Sequence, residues 1–172
     1  MALEEADIII DYFHGASHDF LKSLGISPAK LPHREDWWAF YRAEYKRPID
    51  KRRAILVLWE LDGESLGFST ADKIIFGQEA YMHLHILHPE RRSSGYGANL
   101  VAQTVRIYFS KLKIHQLYCE PYALNTAPNR TLQKVGFKYI KTYEAIPGPL
   151  NFRQPVNRWL LDAEALASLR AS

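Results

Sequence analysis

Met82-His83-Leu84-His85-Ile86-Leu87-His88-Pro89-Glu90-Arg91-Arg92-Ser93-Ser94-Gly95-Tyr96-Gly97-Ala98-Asn99-Leu100 decides how this chain is read. Apolar residues alternate up to Leu87, as in a strand. A tight turn with two arginines follows, then a Gly-x-Gly pair, then the opening of an amphipathic helix. Such a layout sets free backbone N–H groups and the positive end of a helix beside two guanidinium groups, which is a way of holding a pyrophosphate. The helix dipole favours an anion by only about 0.3–1 kcal/mol when exposed. Arginines and converging amides must therefore supply much of the affinity.

Outward from this stretch the chain alternates helical and extended patterns. Residues 3–24 have helical spacing (Ile8, Ile9, Tyr12, Phe13), interrupted at Gly15. Ser27-Pro28 reads as an N-cap followed by proline at the first helical position. Trp37, Tyr41 and Tyr45 fall four apart, predicting a helix over something apolar. Residues 54–60 and 66–76 are predicted strands around an Asp62-Gly63 turn, and 78–87 a third strand. A helix over 97–113 presents Leu100, Val101, Thr104, Val105, Tyr108 and Leu112 on one side. A strand over 115–120, a helix over 125–135 stopped at Gly136, and strands over 137–144 and 155–161 complete the order. This succession predicts a mixed α/β (α+β) fold, a mostly antiparallel central sheet with helices on both faces, in one domain over residues 1–172.

The totals narrow the function classes. With 172 residues, 47% hydrophobic and 24% charged, the chain is long enough for a proper core. Its net charge of +3 is mild and dispersed, Lys46–Arg53 being the one basic cluster, so a nucleic-acid partner is not expected. The longest apolar run, residues 54–59, is too short for a bilayer, so no membrane partner is expected either. One cysteine, Cys119, excludes an intramolecular disulfide and suits a reducing compartment. The acidic start lacks the basic region of a secretory signal, and the cytoplasm is the expected location. Monomer and homodimer remain open.

Pro89 to Gly97 resembles the pyrophosphate loop of the GNAT superfamily of acyl-CoA-dependent N-acetyltransferases. Arg92, Gly95 and Gly97 meet its Gln/Arg-x-x-Gly-x-Gly/Ala pattern. Asn125, Leu132, Lys134, Gly136 and Phe137 resemble the family's Asn…Leu-x-x-Lys-x-Gly-Phe signature, and the likeness covers residues 54–161. It implies that acetyl-CoA is the acyl donor, held by Arg91, Arg92, Ser93, Ser94, Gly95, Tyr96, Gly97, Ala98 and Asn125, with an oxyanion-binding strand N–H near Leu87. Three departures stand out. Ser93 replaces a frequent glycine, Leu132 occupies the position of a tyrosine that protonates the leaving thiolate, and no strand precedes the N-terminal helix. A narrower likeness, to siderophore-type hydroxylysine acetyltransferases, rests on His83 and on Glu120-Pro121…Asn125, with Tyr122 where that group carries an acid.

Acetyl transfer needs a neutral amine. A lysine-like amine is only about one part in 10³ neutral at pH 7, a deficit of roughly 4–5 kcal/mol. A base that removes the proton, directly or through water, answers that need. On a strand Tyr81, His83, His85 and Leu87 share a face, so both histidines are candidates, His83 first. Competing readings are a metal pair, for which no third ligand stands at recognisable spacing, and histidines that only hydrogen-bond across the sheet. No metal is expected. Tyr122, Tyr139 and Tyr143 remain candidate acids. Asn125 reads as a helix cap or a cofactor contact, and Glu120 as an amine orienter or an ion-pair partner. Trp37, Trp38, Phe40, Tyr41 and Tyr45 with Glu35, Asp36 and Glu44 either box a cationic amine or dock a helix on the core. The expected activity is acetyl transfer to a small primary amine. The alternatives are a non-catalytic CoA-binding module and transfer to a protein amine.

Overall fold

Asp62 and Gly63 both take positive φ, 52° and 81°, and so turn β1 (Ile55–Leu61) tightly into β2 (Glu64–Ile75). The computed structural model describes residues 5–87 and 96–168. Ahead of the hairpin lie α1 (Ala6–His14), α2 (His18–Ser23) and α3 (Arg34–Lys46). Ser17 caps α2 by accepting the Phe20 N–H at 3.2 Å. Ser27-Pro28, read as an N-cap followed by proline at the first helical position, starts a single 3-10 turn, Pro28–Lys30. After the hairpin come β3 (Glu79–Ile86), α4 (Tyr96–Leu112), β4 (Gln116–Cys119), α5 (Thr126–Val135), β5 (Lys138–Ala145), β6 (Gln154–Asp162) and α6 (Ala163–Ser168). No sequence signal had marked α6. Gly136 ends α5 in the left-handed region at φ 96°, with the Phe137 N–H returning to Leu132 O at 3.0 Å.

The strands form one six-stranded sheet in the order β1-β2-β3-β4-β6-β5, antiparallel except where β3 and β4 run parallel. The period-two reading of β3 holds. Ala80 and Met82 are fully buried against α4 and α5, in a core with Val101, Val105, Leu112 and Leu132. On the other face Leu56 and Phe68 pack against Ile9, Ile10 and Phe13 of α1 and Trp37 and Tyr41 of α3. Each such side chain contributes about 1.5–3 kcal/mol by leaving water. His83 and His85 project on that second face, opposite Thr70 and Phe68 of β2.

Candidate active site

The ladder between β3 and β4 runs from Glu79↔Gln116 to Met82↔Cys119 and stops there. β4 ends at Cys119 and the chain turns through Pro121, which has no N–H to continue a ladder, while β3 goes on to Ile86. The sheet is therefore split beyond Met82. Leu87 donates its N–H to Leu66 O at 3.0 Å, inside the β2–β3 ladder. The oxyanion-binding N–H expected near Leu87 is therefore not that of Leu87 itself. Pleat alternation turns the amides of Leu84 and Ile86, not that of Leu87, toward the split.

A cavity of about 430 Å³ opens beside this split, and its lining includes His83, Asp72, Tyr122 and Asn125. His83 Nε2 lies 3.2 Å from Asp72 Oδ1, a charge contact with each side chain about 30% exposed. Burial would raise the Asp72 carboxyl, but the His83 imidazole and the Lys73 ammonium hold it below the usual carboxylate range. A buried chain of hydroxyls fixes β3 at this point. Tyr108 of α4 donates to Ser69 Oγ (3.0 Å), which donates to the His83 carbonyl (2.7 Å). His85 also lines the cavity but sits in an aromatic cluster, stacked on Phe68 at 4.9 Å and edge-on to Phe13 at 5.1 Å. Among the described residues no group of three or more His, Cys, Asp or Glu stands together as a metal site.

Glu120, on the cavity wall, is engaged from behind. Its Oε1 accepts Arg158 Nε at 2.6 Å and the Tyr143 hydroxyl. Arg158 also reaches Tyr143 Oη (2.9 Å) and lies over the rings of Tyr81, Tyr118 and Tyr143. Burial and the Glu120 carboxylate push the Tyr143 phenol up to about 12. Of the three candidate acids, Tyr139 is exposed on β5 and bonded to Thr142, Tyr143 is bound to Glu120, and Tyr122 lines the cavity. Leu132 is fully buried core.

Arg91, Arg92, Ser93, Ser94 and Gly95 lie outside the described residues. Tyr96, Gly97 and Ala98 form the first turn of α4. A methyl group on Gly97 would stand 3.9 Å from Thr131 of α5, an ordinary contact, so no described neighbour requires glycine there. Asn125 is the N-cap residue of α5 but its side chain makes no capping bond. Asn129 holds that turn instead, donating to Asn125 O (2.7 Å) and Tyr122 O (3.2 Å).

The row of aromatics and acids on α3 divides. Asp36, Trp37, Phe40 and Tyr41 line the cavity, whereas Trp38 donates its indole N–H to Asp7 at 2.7 Å. Glu44 is buried and accepts the Arg53 backbone N–H (2.7 Å) and Nε (2.8 Å), with Arg47 at 3.1 Å. Two further contributors were not singled out from sequence. Asp72 is a lone inward acid on β2, and the 147–151 loop covers the cavity. Lys73 Nζ holds Pro147 O at 2.5 Å, Lys30 Nζ holds Asn151 O at 2.7 Å, and the Ser27 N–H holds Leu150 O at 2.9 Å.

Among the described residues no helix is long and apolar enough to cross a membrane. No curated protein matches the chain in sequence. Several solved structures share the fold. The aminoglycoside acetyltransferase AAC(6')-Ib in complex with coenzyme A and kanamycin superposes with a TM-score of 0.74 at 14% identity, over 99% of this chain and 96% of that one. Spermidine N-acetyltransferase from Vibrio cholerae with coenzyme A and spermine gives 0.77 at 14% identity, over 97% and 95%. The microcin C7 self-immunity acetyltransferase MccE with acetyl-CoA and AMP gives 0.71 at 16% identity, over 94% and 88%. The sequence pattern of the acetyltransferase (GNAT) family matches residues 17–137. The split sheet and that match converge: the chain belongs to the GNAT family, acetyltransferases that move an acetyl group from acetyl-CoA to an amine.

Proposed function

We propose that the protein acetylates a small primary amine, with His83 as the base and Asp72 as the carboxylate that orients it. The observation that carries this reading is the His83–Asp72 contact opening into a cavity beside the split between β3 and β4. In the proposed reaction His83 takes a proton from the ammonium, directly or through water. The freed nitrogen forms a bond to the thioester carbonyl carbon, the Leu84 amide steadies the oxyanion, and the nitrogen gives its second proton to water as the carbon–sulfur bond breaks. Tyr122, on the cavity lining, is the proposed donor of a proton to the sulfur. With a thiol pKa near 8.5 the thiolate leaves with little help, which accommodates leucine at 132.

The donor's pyrophosphate is assigned to Arg91, Arg92, Ser93, Ser94, Gly95, Tyr96, Gly97 and Ala98, and Asn125 to its pantetheine arm. Glycine at 97 without a described neighbour that demands it supports close approach by a ligand. A small acceptor is supported by the bonds that hold the 147–151 loop over the cavity, and by solved structures of the same fold that contain kanamycin or spermine. The single thiol, Cys119, is buried and suits the cytoplasm.

Steady-state thiol release tests the base. His83→Gln lowers kcat by about 10²–10⁴-fold and leaves acetyl-CoA affinity unchanged. Normal turnover by His83→Gln, with loss in His85→Phe, moves the role two residues along the strand.

A further inference from the structure

Resting on that reading, we infer that the acceptor is a monoamine carried on an apolar body, an arylalkylamine or a branched alkylamine, and not a polycation. The cavity that holds His83 and Asp72 is also lined by Phe13, Trp37, Phe40, Phe68, Ile9 and Leu150. The acids that would receive further ammonium groups are elsewhere or engaged. Glu35 is outside the cavity, Glu44 is buried against Arg53 and Arg47, and Glu120 receives Arg158 and Tyr143. Asp72 serves the reacting end beside His83, which leaves Asp36 as the other carboxylate on the lining. Lys30 adds a positive charge to the same lining.

The aromatic wall does not substitute for those acids. Phe13 stacks on Trp37 at 5.4 Å with 24° between planes, and Phe68 stacks on His85 at 4.9 Å with 28°. Each pair turns a π face toward its partner, so fewer electron-rich faces remain for a cation, and ring edges carry positive partial charge. Of the lining carboxylates Asp36 alone is left for a second ammonium, and a third would lose water without gaining a carboxylate. One charge beside Asp72 and an apolar body against Trp37, Phe40 and Leu150 match the carboxylate and the apolar side chains of this lining.

Acetylation kinetics of the purified enzyme with 2-phenylethylamine, 3-methylbutylamine, spermidine, kanamycin and a short peptide test this. The apolar monoamines are expected to exceed the polycations in kcat/KM by about tenfold or more. Leu150→Asp places a carboxylate on the half-buried loop wall and narrows that ratio by about tenfold, with acetyl-CoA affinity, the check on folding, unchanged. Preference of the wild-type enzyme for spermidine or kanamycin, or turnover of the peptide alone, overturns this inference while leaving acetyl transfer in place. An unchanged ratio in Leu150→Asp that still binds acetyl-CoA overturns it as well. Acetyl-CoA bound normally but transferred to no amine overturns the proposed function and this inference with it.

Discussion

Asp72→Asn isolates the electrostatic share of the base. The substitution keeps the size of the side chain and removes its charge 3.2 Å from His83 Nε2. Proton abstraction makes an imidazolium, and the carboxylate stabilises that charge by about 332/(ε × 3.2) kcal/mol. Both side chains are about 30% exposed, so solvent screens the contact and an effective ε of about 40–80 applies. The contribution is then about 1.3–2.6 kcal/mol, a fall in kcat of roughly 10- to 80-fold. The assay is thiol release at saturating acetyl-CoA and amine, with acetyl-CoA affinity measured separately by calorimetry. Asp72→Asn should lower kcat within that range and leave the affinity alone. A folded Asp72→Asn enzyme with wild-type kcat would refute the dyad. A loss confined to acetyl-CoA binding would make Asp72 a structural residue of the sheet.

Gly97→Trp and Arg92→Ala should each weaken acetyl-CoA binding in calorimetry, whereas Gly97→Ala meets only Thr131 and should fold normally. Leu132→Tyr, which installs the hydroxyl found in many relatives, should cost about 1–3 kcal/mol in urea unfolding because the site is fully buried, and should not raise kcat. Burial opposes ionisation of Glu44, but Arg53 and Arg47 hold its carboxyl below the usual range, so its contribution is present above the unfolded carboxylate pKa and lost as pH falls through the folded value. Glu44→Gln should therefore destabilise at pH 7 by about 1–3 kcal/mol and by less at pH 4, measured by urea unfolding. Equal losses at both pH values would remove the charge from the explanation.

What could be read from sequence follows the range of each interaction. The Asp62-Gly63 turn and the stop at Gly136 are local demands for positive φ, so they were legible. The shared face of His83 and His85 follows from the two-residue period of a strand and needs no partner. Asp72 was invisible because its meeting with His83 depends on the β2–β3 register, and that register shifts between Asp72 and Ile75. Which amide near Leu87 faces the split was illegible for a related reason: which N–H groups face outward is fixed only once a strand is paired. On α3, spacing alone could not say that Glu44 turns to Arg53 while Asp36 turns to the cavity.

The bonds that hold the cavity cover also set an order of events in folding. Lys30 meets Asn151 across 121 positions, Asn151 meets Gly25 across 126, and Gln154 meets Gly25 across 129. Contacts so far apart in the chain carry the largest loop-closure cost and form after the local hairpins and helices. During synthesis, the β1–β2–β3 hairpins and α4 emerge while residues 147–154 are still unmade. The acceptor chamber is therefore closed late, when residues 147–154 return to residues 25–30.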